Sequence, residues 1–345
     1  MRNKIFSAFL APLLKTWPTA VFIFIIFLGL QRDLNERFVE KIKKQKTQKV
    51  PIKVGTFCLL ALGWIMGKKK KLRIAIQGIA ASFHEVAALT YFDSAIETVE
   101  CLTFHKLCET LLHDQADFAV MAIENSIAGS ILPNYFLLQE YHFSIVGEVY
   151  LPIHMNLLTL PGVKLEEIKT IESHPMAIRQ CADFLNRLNG VEIRESDDTA
   201  FSAKRVQELK LKNTAAIASE LAAKRFGLQV LEKRIETNKK NFTRFLILSK
   251  KEKKDLGTNK ASLCFEVANE VGSLAEALMT LKANSINLSK IQSIPIIGKP
   301  SQYSIHIDVE WKRKKDYDNA MRLVLRQVRN LNVLGEYKKA KIEYK

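Results

Sequence analysis

Short apolar runs alternate with helical stripes from Leu72 onward. The stretches "LRIAIQ" (72–77) and "DFAVMAIE" (117–124) have the length and composition of buried strands, whereas "FHKLCETLLHD" (104–114) spaces its apolar residues as a helix does. Further strands are predicted at 143–151, 153–160, 214–219 and 242–249, and further helices at 175–188 and 200–209. Strands separated by single helices predict an α/β domain built on a mainly parallel sheet.

The pattern changes after residue 250. The stretch "SKKEKKDLGTNK" (249–260) is charged and contains a glycine, so it predicts a linker. The remaining residues read as strand, helix, strand, strand, helix and strand. This βαββαβ order predicts a small ferredoxin-like module, a shape that often pairs through its sheet or helices and binds small effectors.

The first seventy residues differ from the rest. They contain two apolar runs, "TAVFIFIIFLGL" (19–30) and "VGTFCLLALGWIMG" (54–67), with a lysine-rich stretch between them. Neither run reaches the roughly 18 apolar residues of a membrane span, and no cleavage pattern follows the first. Residues 1–65 are interpreted either as a membrane-associated leader or as sequence upstream of a true start at Met66. The second interpretation is favoured because the regular pattern begins directly after Lys71.

The net charge of +16 is unevenly distributed. Residues 1–71 hold 15 lysines and arginines against 3 acidic residues, whereas residues 72–345 hold 37 against 33. The body of the chain is therefore nearly neutral. This balance argues against a basic face for nucleic acid, and no membrane contact is predicted for the body.

The five cysteines are scattered and form no CxxC pair. This pattern argues against a disulfide framework and a thiolate zinc site, and it favours a reduced, cytoplasmic setting. Cys101, His105 and Cys108 have a spacing that could share one helix face. An ordinary core stripe with Leu107 and Leu111 is the favoured interpretation, and no metal site is predicted.

Three predicted loops after strands share one chemistry. Asn125-Ser126, Ser173-His174-Pro175 and Asp198-Thr199-Ala200 each pair a capping side chain with a predicted helix start. Capping alone would explain any one of them, but three in succession favour a small anionic ligand at the carboxyl ends of the strands. The chain has no P-loop and no GxGxxG, so no cofactor is predicted.

A succession of motifs resembles prephenate dehydratase with a C-terminal ACT domain. The motifs are "GIAASFHEVAA", "ENSIAGS", "SHPMAIRQC", "DTAFSAK", "AAIASELAAKRFGL", "NFTRFLIL", "VGSLAEAL" and "INLSKIQSIPI". The resemblance covers residues 72 to about 336. It implies a two-lobed α/β catalytic domain like a periplasmic binding protein at 72–250, with the active site in a cleft. A linker at 251–260 and a ferredoxin-like ACT regulatory domain at 261–345 are then expected to follow.

The resemblance also implies a reaction. Prephenate loses its ring carboxylate as carbon dioxide and its hydroxyl as water, giving phenylpyruvate on the route to L-phenylalanine. Aromatisation drives this step, so the protein needs no cofactor, only a binding geometry and a positioned hydrogen donor for the leaving hydroxyl. An arogenate dehydratase and a non-catalytic small-anion-binding protein remain alternatives. A homodimer or homotetramer is expected, with L-phenylalanine as a possible effector.

The resemblance assigns roles to individual residues. Thr243 of the TRF motif is expected to assist departure of the hydroxyl, and Arg244 to bind a substrate carboxylate as a fork. Ser173 and Gln180 are expected to contact substrate from one side of a helix, two turns apart. Glu124 is expected to pair with a cation in the cleft. The substrate-binding set predicted on the same basis is Glu124, Asn125, Ser126, Gly129, Ser82, Thr199 and Phe245, although Phe245 is the kind of residue that packs in a core.

The chain departs from the family motifs at several positions. Ala81 stands where a glycine is usual, although Ser82 retains a hydroxyl, and Met176 replaces a glutamine. The ESRP motif of the ACT domain reads Gln292-Ser293-Ile294-Pro295, without its acid and arginine. Regulation by phenylalanine is therefore a weaker expectation than catalysis. The effector-binding set predicted from the motifs is Gly272, Leu274, Asn287, Leu288, Gln292 and Ser293.

Overall fold

A computed structural model describes residues 71–92, 96–252 and 257–342. The interpretation of residues 1–65 therefore lies outside the described residues. The strands are β1 (Leu72–Gln77), β2 (Ile96–Cys101), β3 (Phe118–Asn125), β4 (Gly129–Ser130), β5 (Ser144–Pro152), β6 (Asn156–Thr159), β7 (Thr170–Ser173), β8 (Glu192–Glu195), β9 (Thr214–Ala218), β10 (Gln229–Glu232), β11 (Phe242–Ser249), β12 (Lys260–Glu266), β13 (Asn287–Pro295), β14 (Tyr303–Glu310) and β15 (Arg329–Tyr337). The helices are α1 (Phe83–Phe92), α2 (Phe104–Leu112), α3 (Leu132–Tyr141), α4 (Pro175–Gln180), α5 (Ala182–Leu185), α6 (Thr199–Glu208), α7 (Glu220–Phe226), α8 (Ser273–Ala283) and α9 (Lys314–Val324).

The first lobe is built on the sheet β2-β1-β3-β11-β5. Strands β2, β1 and β3 are parallel, but β11 runs antiparallel to both β3 and β5. Four of the five strands in this order therefore share one direction, as expected of a mainly parallel sheet, and β11 alone runs against them. The reason is topological: β11 returns from the second lobe and enters the sheet from the opposite end.

The second lobe is built on the sheet β10-β6-β9-β7-β8, with α6 and α7 packed against it. Strands β7, β8 and β9 are parallel, and β6 and β10 are antiparallel additions. The chain crosses between the lobes twice, at 153–155 and at 233–241. The two crossing segments hydrogen bond to each other, Ile153 N to Asn241 O and Ile235 N to Met155 O, both at 2.8 Å.

The C-terminal domain has the predicted βαββαβ order, and its antiparallel sheet runs β13-β14-β12-β15. Helices α8 and α9 cover one face through a core that includes Phe265, Ile307 and Tyr317. The other face packs on the first lobe, where Cys264 and Ile294 share a core with Leu246. The prediction of a ferredoxin-like fold is confirmed.

Some predicted elements differ from the structure. The single helix expected at 175–188 is two short helices, because the chain turns at Cys181 between α4 and α5. The strand expected at 153–160 is confined to β6, since residues 153–155 belong to a crossing segment. The sequence did not predict helix α7 or strands β4 and β10, nor did it predict helices α1 and α3 and strand β2. Helices α1 and α3 carry little amphipathic contrast, and β2 is an edge strand with half-exposed residues.

No helix in the described part of the chain is both long and apolar enough to span a membrane.

The docking of the C-terminal domain requires a glycine in β15. A Cβ atom built on Gly335 would lie 2.0 Å from the backbone oxygen of Ile145 in β5. Real Cβ atoms do not approach a carbonyl oxygen so closely, so the two strands could keep this spacing only without a side chain at position 335. Overpacking of this kind typically costs about 1–3 kcal/mol.

We expect Gly335→Ala to lower the free energy of unfolding by about 1–3 kcal/mol, because β15 must move away from β5. Urea unfolding of the full chain measures this change. Val333→Ala is the matched control, because Val333 lies on the same strand with its side chain exposed. A stability of Gly335→Ala equal to that of the control would contradict the close contact.

A buried histidine makes the stability of the first lobe depend on pH. The ring of His84 packs edge-on against Phe245, with ring centroids 5.0 Å apart, and its Nε2 has no hydrogen-bond partner among the described residues. Burial lowers the pKa of His84 to about 3. The unfolded chain binds a proton near the usual pKa of about 6.5, so acidification favours unfolding between that pH and the folded pKa.

We expect the free energy of unfolding to decrease as the pH is lowered through about 6.5. His84 should contribute up to about 1.4 kcal/mol of this decrease per pH unit. The variant His84→Phe should lose that part of the pH dependence, whereas His113→Gln, at an exposed position, should keep it. Urea unfolding at about pH 7 and about pH 5 measures the difference. Equal slopes for the two variants would show that His84 is not a titrating core residue.

Candidate active site

The candidate active site is centred on one pair of residues that lie opposite each other on adjacent strands. Thr243 of β11 lies opposite Asn125 of β3 in the antiparallel ladder. The Nδ2 group of Asn125 donates a hydrogen bond to Thr243 Oγ1 at 2.9 Å. Side chains alternate along a strand, so these two share a face of the sheet that their neighbours in sequence do not.

The orientation of the Asn125 amide is set by the backbone. Its Oδ1 accepts hydrogen bonds from the N–H groups of Ile127 and Ala128, at 3.0 and 2.9 Å. Backbone N–H groups can only donate, so the opposite side of this amide must be the NH₂ group. Thr243 therefore uses a lone pair to accept from Asn125, and its own hydroxyl hydrogen is left available as a donor.

Asn241 extends this arrangement across the boundary between the lobes. Its side chain is fully buried; its Oδ1 accepts from Asn125 Nδ2 at 2.7 Å and its Nδ2 donates to Gln180 Oε1 at 2.8 Å. Gln180 ends α4 in the second lobe, so the three amides link the two lobes beside Thr243. The sequence interpretation missed Asn241 as a site residue. The available signal was its position in "NFTRF", two residues before Thr243.

The structure contradicts the predicted role of Arg244. Its side chain is 3% exposed, donates from Nε to Glu148 Oε2 at 2.8 Å, and pairs with Asp308. Its Nη2 donates to the hydroxyl of Tyr337 at 3.0 Å. Strand alternation turns Arg244 away from Thr243 toward the C-terminal domain, so the guanidinium is not a substrate fork.

The alternation of side chains along the strands also determines what Glu124 and Phe245 contact. Glu124 pairs with Lys290 of β13 at 3.0 Å, so its cation comes from the C-terminal domain and not from the cleft. Phe245 is 1% exposed and packs on His84, so it is a core residue and not a substrate ligand. The prediction of direct substrate contact is wrong for Phe245, whereas for Glu124, whose side chain is 36% exposed, it stays a prediction.

Ser173 and Gln180 were expected on one helix, but only Gln180 lies on a helix. Ser173 ends β7, is fully buried, and donates its hydroxyl hydrogen to the carbonyl of Ile217 at 2.7 Å. His174 caps α4 by accepting from Met176 N. Of the two predicted residues, only Gln180 reaches the amide chain, and direct contact of Ser173 with a ligand is not what this structure shows.

The ENSxxG loop is a β-hairpin connection and not the helix start expected at Asn125-Ser126. Asn125 closes an Asx turn, and the exposed Ser126 receives a hydrogen bond from Phe242 N at 2.9 Å through its hydroxyl. Gly129 has a φ of +84°, in the left-handed region that favours glycine. These residues hold the hairpin β3–β4 against the start of β11.

The first motif forms a strained loop beside the second lobe. Ala81 has a φ of +73°, so the alanine adopts the conformation for which a glycine would be cheaper. Its N–H donates to Glu85 Oε2 at 2.5 Å, and its carbonyl accepts from Ser219 at 3.0 Å. Ser82 is 2% exposed, so its hydroxyl does not form part of the open surface.

Asp198 is the predicted cap of α6, and this prediction is confirmed. Its Oδ1 accepts from the N–H groups of Ala200 and Phe201 at 2.8 and 2.9 Å. Burial raises the pKa of Asp198 above its usual value. Thr199 begins the helix with 8% exposure. The carboxylate lies beside Gly78, where a Cβ atom would come within 2.8 Å of Asp198 Oδ2.

The predicted effector residues lie at the start of α8 and along β13. Gly272 precedes α8 with a φ of +88°, and Leu274 follows in the first turn. Asn287, Leu288, Gln292 and Ser293 are exposed or half-buried positions of the edge strand β13. Ile294, at the position of the missing arginine, is fully buried in the core shared with the first lobe.

Other candidate sites lie apart from the cleft residues. The thiol of Cys101 contacts Thr110, Cys108 lies in the core, and His105 is exposed beside Tyr141, so the three do not converge. No metal-binding cluster of histidine, cysteine or acidic residues occurs within the described ranges. A cavity of about 570 Å³ is lined by residues such as Arg187 and Lys239 of the second lobe and the crossing segment, and by none of the predicted substrate residues.

Comparison with known proteins identifies the scaffold. A family model described as prephenate dehydratase matches residues 74–253. A bifunctional chorismate mutase/prephenate dehydratase of Enterobacter agglomerans is 36% identical over 272 residues, which are 77% of this chain and 70% of that protein.

Two solved structures have the same fold. The prephenate dehydratase of Arthrobacter aurescens in complex with L-Phe matches with a TM-score of 0.70 and 27% identity, covering 78% of this chain and 90% of that one. A structure titled as GqqA, a novel type of quorum quenching acylases, matches with a TM-score of 0.71 and 29% identity, covering 78% and 98%. The motif order, the two-lobed fold and these matches together place the chain in the prephenate dehydratase family.

Proposed function

We propose that this chain converts prephenate to phenylpyruvate, with loss of carbon dioxide and water, in the synthesis of L-phenylalanine. The observation that carries the proposal is the hydroxyl hydrogen of Thr243, which has no acceptor among the described residues. Asn125 occupies a lone pair of that oxygen, and backbone donors fix the polarity of the amide. The hydroxyl is thereby prepared to donate.

The reaction requires little from the protein beyond this positioned hydrogen-bond donor. As the bond between the ring and its carboxylate breaks, its electron pair enters the ring. The bond between the hydroxyl and the opposite ring carbon breaks, and the hydroxyl leaves with that bond's electron pair. Hydroxide leaves poorly from an aliphatic carbon, so a hydrogen-bond donor at that oxygen lowers the barrier. Thr243 stabilises the departing oxygen in this proposal, and the proton that completes the water comes through solvent.

Gln180 and Asn241 hold this donor in place. A threonine side chain is a weak acid and acts only when its hydrogen points at the reacting atom. The amide chain from Gln180 through Asn241 to Asn125 closes only when the two lobes are together. We therefore assign Asn125, Asn241 and Gln180 to orienting Thr243 when the cleft is closed.

The alternatives differ in their chemistry. An acylase needs an activated nucleophile, and the side chain that hydrogen bonds to Thr243 is the amide of Asn125, which cannot remove a proton. A non-catalytic anion-binding protein would use the same oriented donor to bind an anion, so turnover of prephenate separates it from the enzyme. Arogenate carries an amino group where prephenate has a keto group, and this position is distant from the leaving hydroxyl. Discrimination between the two substrates therefore depends on other parts of the cleft. Prephenate is the expected preference.

The remaining assignments are proposals that follow from the fold. Residues 72–250 form the catalytic domain, 251–260 the linker and 261–345 an ACT regulatory domain, although β12 already begins at Lys260. L-phenylalanine is proposed as effector at the start of α8 and along β13. A homodimer or homotetramer and a cytoplasmic location complete the proposal.

We expect Thr243→Val in the full chain to lower kcat for prephenate by at least about a hundredfold, because the variant keeps the shape of the side chain and loses the donor. Phenylpyruvate absorbance in alkali measures the reaction. Thr243→Ser is the matched control, which retains a hydroxyl and should keep most of the activity. A Thr243→Val enzyme with wild-type turnover would remove this residue from the mechanism.

The choice of substrate is tested with the same preparation. The wild-type chain should form phenylpyruvate from prephenate faster than it forms phenylalanine from arogenate. If neither product appears, the binding-protein alternative is preferred to the enzyme.

Regulation is tested by titrating L-phenylalanine while recording turnover and the mass of the assembly by light scattering. We expect a weak response, because Ile294 is buried and Gln292 bonds to the carbonyl of Ser293 at 3.0 Å. A strong inhibition would show that the altered motif still forms a site. No change in either signal would leave the C-terminal domain without an effector role for phenylalanine.

A further inference from the structure

We propose that the C-terminal domain is a positioning element for the Asn125–Thr243 pair, acting through Arg244 and Glu124. This inference rests on the proposed function, because its readout is turnover of prephenate. It differs from feedback regulation, since it requires no effector and concerns the resting enzyme.

The two residues lie immediately behind the cleft pair. In the β3–β11 ladder Thr243 is opposite Asn125, and the next pair is Arg244 opposite Glu124. The first pair makes the amide contact at the lobe boundary. The second pair faces the C-terminal domain, where Arg244 reaches Asp308 and Tyr337 and Glu124 reaches Lys290. Each cleft residue is thus bonded through the backbone to a residue held by the other domain.

Arg244 belongs to a closed ring of hydrogen bonds. Its Nη2 donates to the Tyr337 oxygen at 3.0 Å, and Ser262 donates to Asp308 Oδ1 at 2.5 Å. Ser262 gives its single hydrogen to Asp308, so Tyr337 must be the donor in the 2.6 Å contact between Tyr337 and Ser262. Asp308 Oδ2 then closes the ring by accepting from Arg244. The ring fixes the guanidinium relative to three strands of the C-terminal domain.

The buried charges around Arg244 are each paired with a charge of opposite sign. Glu148 bonds both Arg244, at 2.8 Å, and Lys260, at 3.0 Å, and the side chains of all three are at most 3% exposed. Burial alone would raise the pKa of Asp308, but the adjacent Arg244 and Lys260 outweigh burial and lower it. A buried ion cannot be released from its partners without a large penalty. Arg244 therefore couples β11 of the first lobe to the C-terminal domain that binds its guanidinium.

The backbone beside Thr243 is suited to transmit such a movement. The β3–β11 register shifts between Arg244 and Phe245, as in a β-bulge. A bulge changes the direction of neighbouring side chains, so the anchoring of Arg244 affects where Thr243 points.

Lys290 holds the other strand of the pair. Its Nζ lies 3.0 Å from Glu124 Oε1 and 3.0 Å from Ser130 Oγ, and it also lies over the ring of Tyr135. These contacts join both strands of the β3–β4 hairpin to β13. The domain boundary here encloses a cavity of about 10 Å³, about the space of one water molecule, so the contact is tightly packed.

The test compares Tyr337→Phe and Lys290→Met with matched controls in the full chain. Each variant removes one contact to the cleft strands from within the C-terminal domain and touches no cleft residue. We expect kcat to fall about tenfold with KM within about twofold of wild type, because a small displacement of a catalytic group costs rate more than binding. The conservative variant Lys290→Arg keeps the cation and should retain most of the turnover.

The controls carry the same substitutions in helix α9, which covers the opposite face of the same sheet. Tyr317 is buried against Trp311 on the helix side, and Lys314 lies over the Tyr317 ring while it pairs with Asp318 and Glu336. Tyr317→Phe and Lys314→Met should keep the wild-type kcat. All rates are expressed per folded molecule, with the folded fraction taken from unfolding curves at the assay temperature.

Several outcomes would overturn the inference. Unchanged kcat in both Tyr337→Phe and Lys290→Met, with an active wild type, would show that the domain does not position the pair. A rise in KM at constant kcat would point to substrate binding instead, and equal losses in the controls would indicate general loosening. A wild-type chain without turnover would overturn the proposed function and this inference together, which distinguishes the two failures.

Discussion

The burial of the Arg244 guanidinium is the constraint on which the arrangement of the lobes and the C-terminal domain depends. An arginine cannot lose its proton in a protein, so its burial requires hydrogen-bonding partners at every side. Glu148 supplies one from the first lobe, and Asp308 and Tyr337 supply the others from the C-terminal domain. Removing one partner of a buried ion pair costs about 3–5 kcal/mol, because the remaining charge stays buried without compensation.

The docking faces have the composition that this constraint demands. Alternation in β12 and β14 directs Leu263 and Ile307 to the helices and Ser262 and Asp308 to the first lobe. The polar stripe is buried and paired across the boundary, while close approach of Gly335 to Ile145 sets the spacing of the strands. Polar pairing and shape together select one docking position, because neither the charges nor the glycine contact would be satisfied after a shift of register.

The strand β11 thereby serves two purposes through its alternation. Thr243 faces the boundary between the lobes, where three amides orient its hydroxyl, and Arg244 faces the opposite way into the ionic cluster. A weak donor such as a threonine hydroxyl acts only through accurate placement, and such placement requires a rigid support. The C-terminal domain provides part of that support in addition to any role in binding an effector.

The sequence by itself determined the fold class, the βαββαβ domain and the family, and it predicted site roles for Thr243, Asn125 and Gln180, which the structure brings to one place. These follow from periodicity and from motif order, which are local properties of the chain. The roles of Arg244, Glu124 and Phe245 were decided by the tertiary structure, because the face of a strand that meets a cleft or a second domain depends on partners distant in sequence. The same reason applies to Asn241, which became recognisable only when Asn125 and Gln180 were brought to it from two lobes, and to the polar stripe of β14, whose alternation alone would predict a solvent-exposed face.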